Sequence, residues 1–138
     1  MSPALLFSLA CMLTAAAALS ERILRRLHRA RLRRMAAEWR MNYSPLDQFR
    51  LTARVASRFP IPGAARIRVL DLIYGIDADR YRYIFTAEYT AGIMTGKRRL
   101  QRAGSFSEPR EREAGDAESD FKLAAANLPL LEQYRSLR

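Results

Sequence analysis

The spacing of hydrophobic and polar positions changes character twice along the chain. Residues 1–20, MSPALLFSLACMLTAAAALS, contain no charged side chain. As a helix they span about 30 Å, the hydrocarbon thickness of a bilayer. Over residues 21–40 the apolar positions thin to Ile23, Leu27 and Ala30, then Leu32, Met35, Ala36 and Trp39, all at helical spacing and uninterrupted by Pro or Gly. This stretch predicts a loosely amphipathic helix that continues the first.

Beyond it, Ser44, Pro45 and Asp47 supply a cap, a proline for the first turn and an early acid, the signature of a helix start. That helix places Leu46, Phe49, Ala53 and Ala56 on one face and ends at Phe59-Pro60-Ile61-Pro62-Gly63. Residues 66–74, RIRVLDLIY, read as a central strand, with Ile67, Val69 and Ile73 on one face and Leu70, Leu72 and Tyr74 on the other. Residues 81–90, YRYIFTAEYT, repeat with period two, so that Tyr81, Tyr83, Phe85, Ala87 and Tyr89 form an aromatic inner face. A turn near 91–96 returns the chain through residues 97–106, where Lys97, Arg98, Arg99 and Arg102 suit an exposed edge. Residues 107–120, SEPREREAGDAESD, read as a solvated loop. Residues 121–124 predict a short fourth strand, and residues 128–137 a last helix that docks through Leu130, Leu131, Tyr134 and Leu137.

The expected fold is therefore α+β. It comprises a transmembrane helix at 1–20, a basic juxtamembrane helix at 21–40, and a domain at 41–138 with three to four antiparallel strands and one or two packed helices. A chain of 138 residues leaves about a hundred for the domain, enough for one modest core. Charge sharpens this picture. Of a formal net +10, residues 21–40 contribute eight arginines against two glutamates, and the longer remainder sixteen basic against twelve acidic residues. Most of the excess thus lies beside the apolar run.

That order, apolar run first and positive charge after it, is the reverse of an export signal, although Ala16 and Ala18 flanking Ala17 resemble a processing site. The positive-inside rule then puts the N-terminus outside and the domain in the cytoplasm. Next to an anionic leaflet each basic residue adds on the order of 1 kcal/mol of attraction, so Arg22, Arg25, Arg26, Arg29, Arg31, Arg33 and Arg34 are the expected contacts to lipid headgroups. The same arginines offer an alternative, a nucleic-acid-associated protein tethered to the membrane. It is disfavoured because topology alone accounts for positive charge here and no aromatic side chain is interleaved before Trp39. Ala10, Thr14 and Ala18 form a row of small residues that would admit a second helix, but six alanines in this stretch produce such a row by chance. A membrane protein partner is open, and no oligomeric state follows.

Candidate chemistry is sparse. Cys11 is the only cysteine and His28 the only histidine, which argues against a disulfide framework, a thiolate metal site and histidine-assisted nucleophilic catalysis. Asp77 and Asp79 form a D-x-D pair beside Arg80, better read as turn residues than as a cation site. Asp71 and Glu88 are carboxylates on neighbouring strands with arginine partners at hand. Gly92 and Gly96 before Lys97 lack phosphate-loop spacing. No catalytic residue, cofactor or metal ligand is assigned.

Ala37–Tyr43 (AEWRMNY), Asp47–Leu51 (DQFRL), residues 68–75, Phe85–Tyr89 (FTAEY) and Leu128-Pro129 resemble a broad group of uncharacterised bacterial proteins. Members of that group carry one N-terminal membrane helix before a small α+β domain. The resemblance implies an anchored fold and assigns no functional residue. The expected function is a non-enzymatic binding or scaffolding role at the cytoplasmic face of the membrane.

Overall fold

The computed structural model describes residues 2–92, 96–110, 120–125 and 130–137. The apolar and basic stretches form one unbroken helix, α1 (Pro3–Glu38), of 36 residues. Ser2 caps its start by accepting from the Leu5 N–H. Its end is closed by a left-handed residue, Arg40 at φ 54. There the Met41 N–H donates to the Ala36 carbonyl at 2.8 Å and the Arg40 N–H to the Ala37 carbonyl at 3.0 Å. This paired closure normally uses glycine.

The domain is a five-stranded antiparallel meander. It consists of β1 (Asn42–Leu46), β2 (Ala65–Asp77), β3 (Arg80–Ala91), β4 (Arg98–Pro109) and β5 (Asp120–Leu123), ordered in space as in sequence. Two short helices complete it, α2 (Leu51–Ser57) between β1 and β2, and α3 (Leu130–Ser136) after β5. The α+β class is as the sequence pattern predicts, with one strand more than the three to four expected.

The additional strand is β1, formed where a helix start was expected. Ser44 is buried, and its hydroxyl donates to the Leu46 carbonyl 2.8 Å away instead of capping a helix. Pro45 has no ladder partner, as suits an edge strand. The helix begins seven residues after Ser44 and takes its cap from Asp47, whose carboxylate accepts from the N–H groups of Leu51 at 2.9 Å and Thr52 at 2.8 Å. Its buried side is consequently Leu51 and Val55, not Leu46, Phe49, Ala53 and Ala56. Burial alone would raise the Asp47 carboxyl, but the hydrogen bonds donated by Thr52, Leu51 and Phe49 outweigh it and hold the group below the usual carboxylate range.

Strict alternation also fails in β2. The register slips between Leu70 and Ile73, where Asp71 adopts φ 50 as an extra residue. The slip moves Ile73 away from the face of Ile67 and Val69, so the two faces are recruited differently from the expected pattern. One face joins Val69, Leu72, Tyr83, Phe85, Ala87 and Phe106 beneath Leu51 and Val55 of α2. The opposite face joins Ile73, Ile84, Ala103 and Ala124 beneath Leu32, Met35 and Ala36 of α1 and Tyr134 and Leu137 near the C-terminus. The side chains of Leu130 and Leu131 lie outside the described part of α3.

Where an edge was expected, β4 is an edge along only half its length. Arg98–Arg102 has β3 alone as a partner, whereas Gly104–Ser107 takes β5 on its other side. The strand also runs on to Pro109, three residues past its expected end and into the predicted loop. Residues 111–119 of that loop lie outside the described residues.

Two substitutions test this architecture in the detergent-solubilised chain. Asp47→Ala is expected to lower unfolding free energy by about 1–2 kcal/mol at neutral pH. Because the folded-state carboxyl is depressed, its stabilisation is full above the ordinary value of 3.8 and is lost as pH falls through the lower folded value. The gap between parent and variant, followed by thermal unfolding, therefore narrows only in strong acid. At Gly104, an added Cβ would lie 2.7 Å and 2.9 Å from ring atoms of the fully buried Phe85. Gly104→Ala is accordingly expected to destabilise by about 1–3 kcal/mol in the same measurement.

Candidate functional site

Two features concentrate polar chemistry, the basic stem of α1 and the polar junction where that stem meets the sheet. Helix α1 as a whole is long and apolar enough to cross a membrane, and none of its apolar window is buried. Ten large apolar side chains between Leu5 and Leu27 are 48% to 73% exposed. They make one contiguous exposed apolar surface from Leu5 to Leu27. Only Leu32, Met35 and Ala36 of the helix are buried.

All seven arginines proposed from the sequence are exposed. At about 100° per residue, Arg22, Arg25, Arg26, Arg29 and Arg33 fall within one arc of about 100°, Arg31 and Arg34 lie outside it, and the strip of His28, Leu32, Met35 and Trp39 carries none. They form one broad face with two outliers. Along the axis they separate into two groups. Arg22, Arg25 and Arg26 lie within about 9 Å of Ser20, and Arg25 is paired with Glu21. Arg29 and Arg33 lie farther on and reach the domain, where both act electrostatically on Tyr43 and Arg33 stands 5.8 Å from the centre of its ring.

At the junction, the bulge in β2 turns Asp71 toward α1. The Tyr43 hydroxyl donates to Asp71 Oδ1 at 2.7 Å, and His28 Nε2 lies 3.6 Å from Asp71 Oδ2. Behind them the buried Tyr134 hydroxyl meets Thr86 Oγ1 at 3.2 Å. Burial, then the hydrogen bond and charge of Asp71, raise the Tyr43 phenol well above its ordinary value. Burial raises Tyr134 likewise. This arrangement joins α1, β1, β2, β3 and α3 through neutral phenols and one carboxylate. On the other face, Glu108 accepts from Arg54 of α2 at 2.5 Å and from the Tyr83 hydroxyl at 3.1 Å, with Arg54 stacked 4.5 Å from the Phe106 ring. Burial and Glu108 push the Tyr83 phenol up to about 12. Both clusters tie a helix to the sheet.

The remaining candidates are separated. Asp71 and Glu88 do not meet, since Glu88 accepts from Gln101 at 3.2 Å and has Arg99 at 3.8 Å. Asp77 pairs with Arg82 at 2.6 Å, and the Asp79 carbonyl accepts from the Arg110 N–H across the β2–β3 turn. Among the described residues no group of three His, Cys, Asp or Glu is placed to hold a metal ion. A cleft lined by Trp39, Met41, Ile76, Asp77, Arg82 and Ile84 has a volume of about 30 Å³, room for one water. Residues 93–95 of the Gly92–Gly96 segment lie outside the described residues. Sequence reading missed the junction, because His28, Tyr43 and Asp71 are far apart in the chain. Its one visible sign was a lone carboxylate inside the otherwise apolar run VLDLIY.

Asp71→Asn is expected to keep the bulge, since asparagine tolerates a left-handed conformation, and to lower the Tyr43 phenol toward its ordinary value by removing the charge beside it. Asp71→Ala loses the acceptor as well and should cost about 1–3 kcal/mol more. Ultraviolet titration of phenolate in the folded chain reports the first, and thermal unfolding the second.

Comparison of the chain with protein-family models, with curated proteins and with solved structures returned no match.

Proposed function

We propose that the protein is a single-pass membrane protein, its N-terminus outside and its α+β domain held at the cytoplasmic surface as a non-enzymatic binding or scaffolding module. One observation carries this reading: a single helix whose first 25 or so residues touch nothing in the domain and whose last turns are built into the core. The exposed apolar length matches a bilayer, and the run of arginines follows it on the side that the positive-inside rule assigns to the cytoplasm. The arginines adjoin the apolar length, where topology alone calls for positive charge, and no aromatic side chain is interleaved among them before Trp39. Arg22, Arg25 and Arg26 are the closest to the lipid, and Arg29, Arg31, Arg33 and Arg34 act at longer range and on the domain. The non-enzymatic part of the reading is supported by the polar junction, whose hydroxyls and carboxylate are engaged in holding α1 to the sheet.

The test is fractionation of cells expressing the chain with a C-terminal tag. The full-length protein is expected to stay in membranes through an alkaline carbonate wash, with the tag protected from protease until the cells are opened. Release by carbonate, a product lacking residues 1–18, or a tag accessible from outside would each overturn the reading.

A further inference from the structure

The direction of α1 relative to the sheet fixes which end of the domain faces the bilayer. Two contacts define that direction. His28 lies beside Asp71 near the middle of β2, and eleven residues later Trp39 lines a cleft with Ile76 and Asp77 at the end of the same strand. The helix advances about 16 Å between these contacts and the strand about 17–20 Å, so α1 runs nearly parallel to β2. Retracing the helix from His28 to Ser20, about 12 Å, therefore follows β2 back toward Ala65. Because β3 is antiparallel to β2, Ala91 lies at that end, with Ala65 paired to Thr90 and Ala91 to Arg98. From Phe85, level with Asp71, six residues of β3 to Ala91 cover about 20 Å, farther than the helix needs to reach Ser20.

This end of the sheet is cationic. Arg66, Arg68, Lys97, Arg98 and Arg99 are all exposed there, and the acid among them, Glu88, is occupied by Gln101 and Arg99. The far end is mixed, with Asp77 and Asp79 beside Arg80 and Arg82. Arg66 sits in a second slip of the β2 register with φ 52, which carries its side chain off the regular alternation.

The geometry points to this rim as a second membrane-contact surface, in which Arg66, Arg68, Lys97, Arg98 and Arg99 bind the phosphates of the anionic leaflet that α1 crosses. It rests on the anchored reading above. The arginines of α1 and the rim then hold the domain at two separated places, and because the strands reach farther than the helix does to Ser20, the sheet tilts from the membrane normal so that the rim meets the headgroups. Lipid is preferred over nucleic acid as the occupant because the rim reaches the level of Ser20, where the uncharged helix enters the bilayer.

The experiment uses the full chain in liposomes, with Cys11→Ser so that an introduced thiol is unique. A fluorophore is attached through Gly96→Cys at the rim, where an added Cβ meets nothing within 4 Å, or through Ala78→Cys at the far turn. A quencher is carried on the lipid headgroups. The rim label is expected to be quenched at least twofold more than the far label in vesicles containing phosphatidylglycerol, and this excess should fall in pure phosphatidylcholine and at high salt. Lys97→Glu, Arg98→Glu and Arg99→Glu together should abolish the excess while the chain still floats with the vesicles. A floating chain whose two labels are quenched equally overturns the inference and leaves the anchor intact. A chain that does not float overturns both. Loss of the excess on adding an oligonucleotide that the rim retains at physiological salt would assign the surface to nucleic acid instead.

Discussion

Leu32, Met35 and Ala36 bear the connection between a membrane-length helix and a folded sheet. These side chains are 1% to 5% exposed and close the face formed by Ile73, Ile84 and Ala103. Burying a leucine and a methionine contributes on the order of 3–6 kcal/mol, a large part of the stability of a domain this small. Removing them would open one side of the sheet to water. The helix is therefore part of the core at one end and foreign to it at the other. With no Pro or Gly between Ala4 and Glu38, nothing in α1 offers a hinge, and its closure through Arg40 and Met41 leads straight into β1. The direction of the apolar segment is thereby fixed relative to the sheet.

Apolar contact alone does not fix the rotation or register of a helix on a sheet, and each face carries a polar tie that does. Asp71, Tyr43 and His28 set α1 on β2, and Glu108, Arg54 and Tyr83 set α2 on β3 and β4. The first tie depends on the bulge. A regular β2 would keep Ile73 on the face of Val69 and leave α1 without that partner. The extra residue at Asp71 turns Ile73 toward the helix and presents the carboxylate between the helix and β1. A short polar residue suits the left-handed backbone there, which a β-branched neighbour would not tolerate.

Much of this fold is legible in residue patterns, and the misses have local causes. The alternation from Tyr81 to Tyr89 gives β3 and the buried side of Tyr83, Phe85, Ala87 and Tyr89, but Tyr81 is exposed and the other side, expected to be solvated, is buried through Ile84 and Thr86; Pro129 with Tyr134 and Leu137 gives the last helix. At Ser44-Pro45-Leu46-Asp47 two helix starts overlap. The serine hydroxyl satisfies Leu46 and the aspartate caps three residues later, a choice decided by the pairing of Asn42–Leu46 with β2. Basic residues in β4 marked an edge correctly for Arg98–Arg102, and the uncharged Gly-Ser-Phe-Ser that follows accepts β5. The junction at Asp71 depends on contacts between segments 28 to 63 residues apart, such as Tyr43 with Asp71 and Tyr134 with the same carboxylate's field. No local pattern encodes these.

With both faces of the sheet covered, the surface available for recognition is reduced to edges and ends. The β1 edge is short and interrupted by Pro45, a form that discourages added strands, and the free half of β4 carries arginines. The ends differ because an antiparallel meander returns alternate connections to the same side. The β2–β3 turn lies at one end with Asp77 and Asp79, and the strand ends at Ala65, Ala91 and Arg98 lie at the other with the arginines. Faces of a small sheet are needed for its core, so exposed charge is carried where strands stop. Because α1 runs nearly parallel to those strands, the cationic end of the sheet and the apolar start of the helix point the same way.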